Sequence, residues 1–410
     1  MSETQNKFQI KGKLAEQFLH TLATKSFFSD WCFLNPILPD GKELCDLLVI
    51  FDNVAIIWQA KDLMLNKKGK YNPKEVKKNI RQLSGARRQL FDLKTPIVLE
   101  NMRRTKISFD PDSISEIYLI SALLGEGEDS YEIMESIKEF QVHVFTRKFT
   151  EIALKELDTI SDFVYYLRNK EAFIKEKVGS LIVLGGEEEI LAYYLLNNNS
   201  FDSLNGYKFV TLDGNHWKYL IDNPSYISKK KADKISYGWD SIIDRAHEGS
   251  SKYELVAREL ARPNRFARRV LGKAFFDANV IAHEDQEHDI YRRVVIGTDD
   301  KGNGHTYCFL FMDKDRPRED RAKYLEALCF VARGKYQKNS KVIGVATEQK
   351  IESKCSYDFI LLEIPEWTDE LEEQKNEFQK TFDILVDPKI TSIRATQYPI
   401  VKKNTSSKTN

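Results

Sequence analysis

The chain is poor in the features that announce a compartment or a familiar cofactor. It has five cysteines in 410 residues (Cys32, Cys45, Cys308, Cys329 and Cys355), odd in number, scattered, and with no C-x-x-C pair. That argues against a disulfide framework or a zinc site and suits reduced packing residues in a cytoplasmic protein. No run reaches the ~18 consecutive apolar residues of a membrane helix. The start, MSETQNKFQIKGK, lacks the apolar stretch of an export signal. A membrane partner and secretion are therefore not expected. Phosphate-loop, hydrolase-elbow and dinucleotide motifs are absent, as is any internal repeat. Net charge is missing too, with 62 Lys+Arg against 62 Asp+Glu.

Zero net charge alone would argue against a nucleic-acid partner, but here it is a sum of opposed parts. Residues 1–110 hold 19 Lys+Arg against 12 Asp+Glu, and residues 111–140 hold eight acids against Lys138 alone. The basic share concentrates between Lys67 and Arg88, where nine cations face a single acid, Glu75. A local phosphate-binding face remains open.

What is present is an ordinary globular composition, 42% apolar, 11% aromatic and 30% charged, in a length that suits two or three domains. Residues 11–25 read as a first helix with Leu14, Phe18 and Leu22, joined by Ala15 and Leu19, as its apolar stripe. Two strands follow, KELCDLLVIF and NVAIIWQAK, joined by Asp52-Asn53 as a two-residue turn. Asn72 and Pro73 then start a helix over about 73–91, with Val76, Ile80, Leu83 and Leu90 as its buried face. TPIVLE, EIYLISALLG and QVHVFTR read as further strands, the acidic stretch between the last two as helical.

The expected domains are 1–148, a mixed sheet with helices on it; 149–262, a helical connector with a long helix at 150–178 and a mixed segment; and 263–400, an α+β domain. Within the last lie a helix at 263–282, a hairpin (YRRVVIGT, HTYCFLFM), a helix (REDRAKYLEALCFVARGK), the strands KVIGVAT and YDFILLEI, and an acidic helix from Thr368 to about Phe382. Residues 401–410 read as a polar, disordered tail.

The first hairpin carries the chemistry. With a two-residue turn, Phe51 pairs with Val54 and each further pair sums to 105, so Asp46 falls opposite Gln59 and Lys61 lies one same-face step on. A carboxylate, an amide oxygen and an ammonium share one patch. Charges inside strands this apolar are costly unless paired or bound to metal. The plain alternative is that Lys61 reaches water at the strand end and pairs with Asp46.

A glutamate in an early helix (Glu16 in G-K-L-A-E), an aspartate in the first hairpin strand and an x-x-Lys triplet closing the second resemble the PD-(D/E)XK nuclease superfamily. The element order helix, strand, strand, helix, strand over residues 11–148 is similar as well. The resemblance implies a restriction endonuclease-like mixed sheet flanked by helices and a Mg²⁺- or Mn²⁺-dependent nuclease. By it, Asp46 is the metal-binding aspartate and Lys61 positions the attacking water. Gln59 stands where most members carry a second acid, and Glu16 matches an additional ligand. The Ala60 carbonyl adds an oxygen, and Mg²⁺ needs only one or two carboxylates beside its waters. Gln59 removes one formal charge from the usual set, so weaker metal binding is expected.

The expected partner is nucleic acid, DNA before RNA, met by Lys74, Lys77, Lys78, Arg81, Gln82, Arg88 and Gln89 on the following helix, with 101–106 extending the basic surface. A homodimer is compatible with this reading. A free-standing nuclease with no helicase motif suits bacterial defence or restriction. Two other readings are a nuclease-like nucleic-acid-binding or regulatory module with lost chemistry, and an interaction protein acting through its C-terminal domain. HEDQEH (283–288) fails as a zinc-helix motif because its histidines are five apart. His216, Trp217 and His305 read as structural.

Overall fold

The computed structural model describes residues 3–63, 65–101, 103, 106–125, 127, 132–177, 179–249, 251–285, 287–297, 304–350 and 355–399. The chain divides into two compact units, Met1–Ile227 and Ser228–Asn410. The first contains α1 (Glu3–Phe27), β1 (Cys32–Leu34), β2 (Leu47–Phe51), β3 (Val54–Lys61), α2 (Pro73–Arg87), β4 (Val98–Leu99), β5 (Ile107–Ser108), β6 (Glu116–Leu123), β7 (Met134–Ile137) and β8 (Phe140–Thr146). It continues with α3 (Arg147–Glu156), α4 (Ile160–Glu176), β9 (Leu181–Val183), α5 (Glu187–Leu196), β10 (Val210–Leu212) and α6 (His216–Asp222). After α7 (Pro224–Asp233), the second holds α8 (Ser236–Gly249), α9 (Glu254–Ala261), α10 (Arg265–Glu284), β11 (Ile290–Ile296), β12 (Thr306–Met312), α11 (Arg318–Lys335), β13 (Lys341–Glu348), β14 (Asp358–Glu363) and α12 (Asp369–Phe382).

Six strands form the main sheet of the first unit in the order β1-β2-β3-β6-β8-β7. β3, β6 and β8 run parallel, while β1, β2 and β7 run antiparallel to their neighbours. The β2–β3 ladder pairs Phe51 with Val54 and Leu47 with Trp58, the register expected from the turn. Asp52 supplies the left-handed residue, with φ 51°. One face carries Leu48, Ile57, Leu119 and Val142, packed on Val76, Ile80 and Leu83 of α2. On the other face, Trp58 stacks on Phe163 of α4 and meets Phe145 edge-on. The sheet is thus covered by helices on both sides, as expected of parallel central strands.

Several expectations change in detail. The buried stripe of α1 is Ala15, Leu19, Ala23 and Phe27, so Leu14 is 59% exposed rather than part of it. A strict i, i+4 spacing of two alanines with two large residues fits against the sheet, one position round from the larger side chains. Where described, the acidic segment before β8 is not helical. Met134–Ile137 is an edge strand hairpinned to β8 around Lys138, which has φ 55°. Pairing with β8, rather than intrinsic propensity, decides so short a strand. Residues 126 and 128–131 of that segment lie outside the described residues.

TPIVLE contributes only β4, which pairs with β5 outside the main sheet. The stretch 150–178 is two helices, parted at Leu157–Thr159, where the Thr159 side chain accepts from the Asp162 N–H and starts α4. In the second unit the order β11-β12-β13-β14 forms one sheet, with β12 and β13 parallel across α11. All of its strands and its later helices fall where the sequence pattern places them. The tail 401–410 lies outside the described residues.

Candidate active site

β3 alternates its side chains, so Ile57, Gln59 and Lys61 face α2 while Trp58 faces α4. Asp46 directly precedes β2, next to the Leu47–Trp58 pair, which sets it beside Gln59. Its Oδ2 accepts the backbone N–H of Ala60. Both Asp46 and Gln59 are buried. The ladder itself stops at Leu47–Trp58, and Asp46 meets β3 through the Ala60 N–H, one residue past the expected partner Gln59.

The electrostatics of Asp46 are unusual. It is 6% exposed. Burial pushes its carboxyl up to about 7, the Ala60 N–H opposes this, and the Glu16 and Glu43 carboxylates push the same way as burial. The Glu43 carboxyl lies close enough to Asp46 for each to act on the other's ionisation. Glu43 is itself held above its ordinary range, by partial burial and then by Glu16. Three carboxylates thus share one neighbourhood, and two influences on Asp46, its desolvation and its acidic neighbours, both favour its neutral form.

Glu16 reaches this site because it borders the buried Ala15–Leu19–Ala23 stripe of α1. It accepts from Asn35 Nδ2 at 3.1 Å, in place of the helical partners Lys13 or His20 that spacing alone would offer. Asn35 has φ 48°, and its own N–H donates to the Asp46 carbonyl at 3.1 Å. Its Oδ1 is buried without a partner. Hard oxygens therefore gather here, and among the described residues no Lys or Arg forms an ion pair with Asp46, Glu16 or Glu43. Among the described residues no three His, Cys, Asp or Glu side chains converge closely enough to hold a metal ion by themselves. The oxygen donors of this stretch are the carboxylates of Asp46, Glu16 and Glu43, the Gln59 amide and the Ala60 carbonyl. That set of mixed charge, completed by water, suits Mg²⁺.

Lys61 does not pair with Asp46. Its Nζ lies 3.3 Å from Glu75 in the first turn of α2, and its side chain is partly exposed. α2 touches β3 again at Asn79, whose Nδ2 donates to the Gln59 carbonyl at 3.0 Å and to Ser121 Oγ at 2.8 Å. On the outer face of α2 and the π-helical turn that follows it, Lys74, Lys77, Lys78, Arg81, Gln82 and Arg88 are all exposed. Gln89 is occupied, its Oε1 accepting from Thr95 Oγ1 at the end of that turn. The proposed extension at 101–106 is partly engaged: Arg103 pairs with Asp30 and Lys106 with Glu100, while Met102, Arg104 and Thr105 lie outside the described residues.

Glu43, Asn35, Glu75 and Asn79 were not singled out by sequence pattern. Asn79 alone had a readable signal, an amide three residues after Val76 on an otherwise apolar helix face. Two of the histidines set aside from the sequence have acidic partners. His305 Nε2 lies 2.9 Å from Glu259, and His288 pairs with Asp285 beyond the end of α10. No protein-family model matches the chain, and no curated protein matches it.

Proposed function

We propose that the first unit is a restriction endonuclease-like domain of the PD-(D/E)XK kind and that it hydrolyses phosphodiester bonds, in DNA before RNA, with Mg²⁺ or Mn²⁺. The observation that carries this reading is Asp46: a buried carboxylate beside two others, hydrogen-bonded to the strand that presents Gln59 and Lys61. Such an arrangement is costly for a protein that never neutralises it from outside.

Asp46, Gln59, the Ala60 carbonyl and Glu16 would hold the metal, with Glu43 in reach of the same site. When bound, the metal would acidify a water and withdraw charge from the scissile phosphate. Asp46 would hold the cation as a carboxylate, so binding would draw off any proton that burial keeps on it. The Ala60 N–H keeps that carboxylate oriented. Lys61, held near the site by Glu75, directs its ammonium at the attacking oxygen and at charge developing on the phosphate. Lys74, Lys77, Lys78, Arg81 and Arg88 bind backbone phosphates along α2 and supply affinity for the nucleic acid. A single nuclease unit joined to a second α+β unit, without helicase motifs, suits defence or restriction.

The test is cleavage of supercoiled plasmid and of RNA in Mg²⁺ and in Mn²⁺, with Asp46→Ala and Lys61→Ala alongside. The reading predicts wild-type cleavage that both variants lack. Salt-sensitive binding with no cleavage in either metal would instead assign a binding module in which Gln59 marks lost chemistry.

A further inference from the structure

Asn79 is a buried polar residue in the apolar face that α2 turns to the sheet, among Val76, Ile80 and Leu83. Asparagine is a weak helix former, and a leucine would continue this face as its neighbours do. The Nδ2 group makes two hydrogen bonds, while Oδ1 stays buried without a partner. A side chain kept with half of its amide unsatisfied calls for an account of what the other half holds.

It holds one peptide unit. The Gln59 carbonyl and the Ala60 N–H belong to the same planar amide. Asn79 grips the oxygen edge at 3.0 Å, and the opposite edge donates to Asp46 Oδ2. Fixing one edge of a rigid plane fixes the direction of the other. The bonds also run head to tail, from the Asn79 amide through the peptide to the carboxylate, so each polarises the next. Ser121 Oγ, on the residue paired with Gln59 across the β3–β6 ladder, sets the rotation of the Asn79 amide.

We propose that Asn79 is a positioning residue that ties the phosphate-binding helix to the cation-facing groups. Through the Gln59–Ala60 peptide it orients the Ala60 N–H, and with it the Asp46 carboxylate, according to where α2 sits. This rests on the nuclease reading and adds to it that α2 governs affinity for the cation as well as for nucleic acid. Binding of DNA along Lys77, Lys78 and Arg81 then tightens cation binding, and by linkage the cation tightens DNA binding equally.

The test is Mn²⁺ binding to the full-length protein, followed by electron paramagnetic resonance, with and without a short DNA duplex. Wild type is compared with Asn79→Leu, Ser121→Ala and Asp46→Ala. Asn79→Leu should weaken Mn²⁺ binding about tenfold and abolish its enhancement by DNA, while metal-free DNA affinity and its salt dependence stay within about twofold. Ser121→Ala should give a smaller change of the same kind, and it carries the test if the leucine variant fails to fold. Wild-type Mn²⁺ affinity and DNA enhancement in the Asn79 or Ser121 variant would overturn the positioning role. An Asp46→Ala protein that still binds Mn²⁺ as wild type does would overturn the underlying site instead.

Discussion

Two buried acids, one in each unit, meet opposite surroundings. Glu259 in α9 receives His305 Nε2 at 2.9 Å, Lys341 Nζ at 2.9 Å and Arg262 Nε at 2.8 Å. Burial would raise it, but hydrogen bonds from His305 and Lys341 and the charge of Arg262 hold it down at about 2. Asp46 is equally buried, yet its charged neighbours are Glu16 and Glu43, and burial pushes it up to about 7. The fold supplies two cations and an imidazole to one acid and two further acids to the other. The first pattern is what a structural buried charge needs. The second leaves a counter-charge to come from solution: Lys42, the nearest cation in sequence, pairs with Asp40, and Lys61 on the facing strand is engaged by Glu75.

The largest effect that sharpens this contrast is on catalysis. Asp46→Asn should lower plasmid cleavage about 10³-fold or more. It should also raise the metal-free stability of the protein at pH 8, by up to roughly 3 kcal/mol, since it removes an acid whose charged form burial disfavours. Loss of activity with gain of stability marks a functional site. Glu259→Gln should do the reverse, costing about 3–5 kcal/mol in chemical unfolding by leaving its cations unpaired, with cleavage by the folded fraction unchanged. If both substitutions destabilise alike, the contrast fails.

Lys61→Ala should lower turnover about 10²-fold while DNA affinity changes little, as measured by single-turnover cleavage against filter binding. The Lys77→Ala, Lys78→Ala, Arg81→Ala triple variant should keep single-turnover cleavage at saturating DNA, and reduce the slope of log affinity against log salt by about 2.7.

The pH dependences should also oppose one another. The Asp46 pKa is raised on folding, so its contribution to metal-free stability is intact below its unfolded value of about 4 and is lost as pH rises toward 7. The Glu259 pKa is lowered, so its contribution is present above about 4.5 and is lost as pH falls toward 2. Unfolding midpoints across pH should show both limbs, with Asp46→Asn flattening the upper one and Glu259→Gln the lower.

Much of the site was legible because a two-residue turn dictates register. Once Asp52-Asn53 is read as the turn, the opposition of Asp46 and Gln59 and the shared face of Gln59 and Lys61 follow from the period of a strand. The second unit's elements were legible for the same reason: long, strongly patterned segments such as HTYCFLFM leave little choice. Contacts made through loops were not legible. Glu43 comes to Asp46 through a bridge with Ile37, and Asn35 comes to Glu16 through a left-handed residue, neither of which has a periodic signature. The stripe of α1 was read one position off because alanines, not the larger Leu14, pack closest to the sheet. β7 was misread because four residues of edge strand owe their conformation to β8.

The most direct measurement is calorimetric titration of Mn²⁺ into the protein near pH 7, in two buffers of different ionisation enthalpy, for wild type and Asp46→Asn. The account predicts that wild type binds the ion and releases a proton to the buffer as it does so, and that Asp46→Asn neither binds comparably nor releases one. Binding without proton release, or binding indifferent to Asp46→Asn, would contradict it.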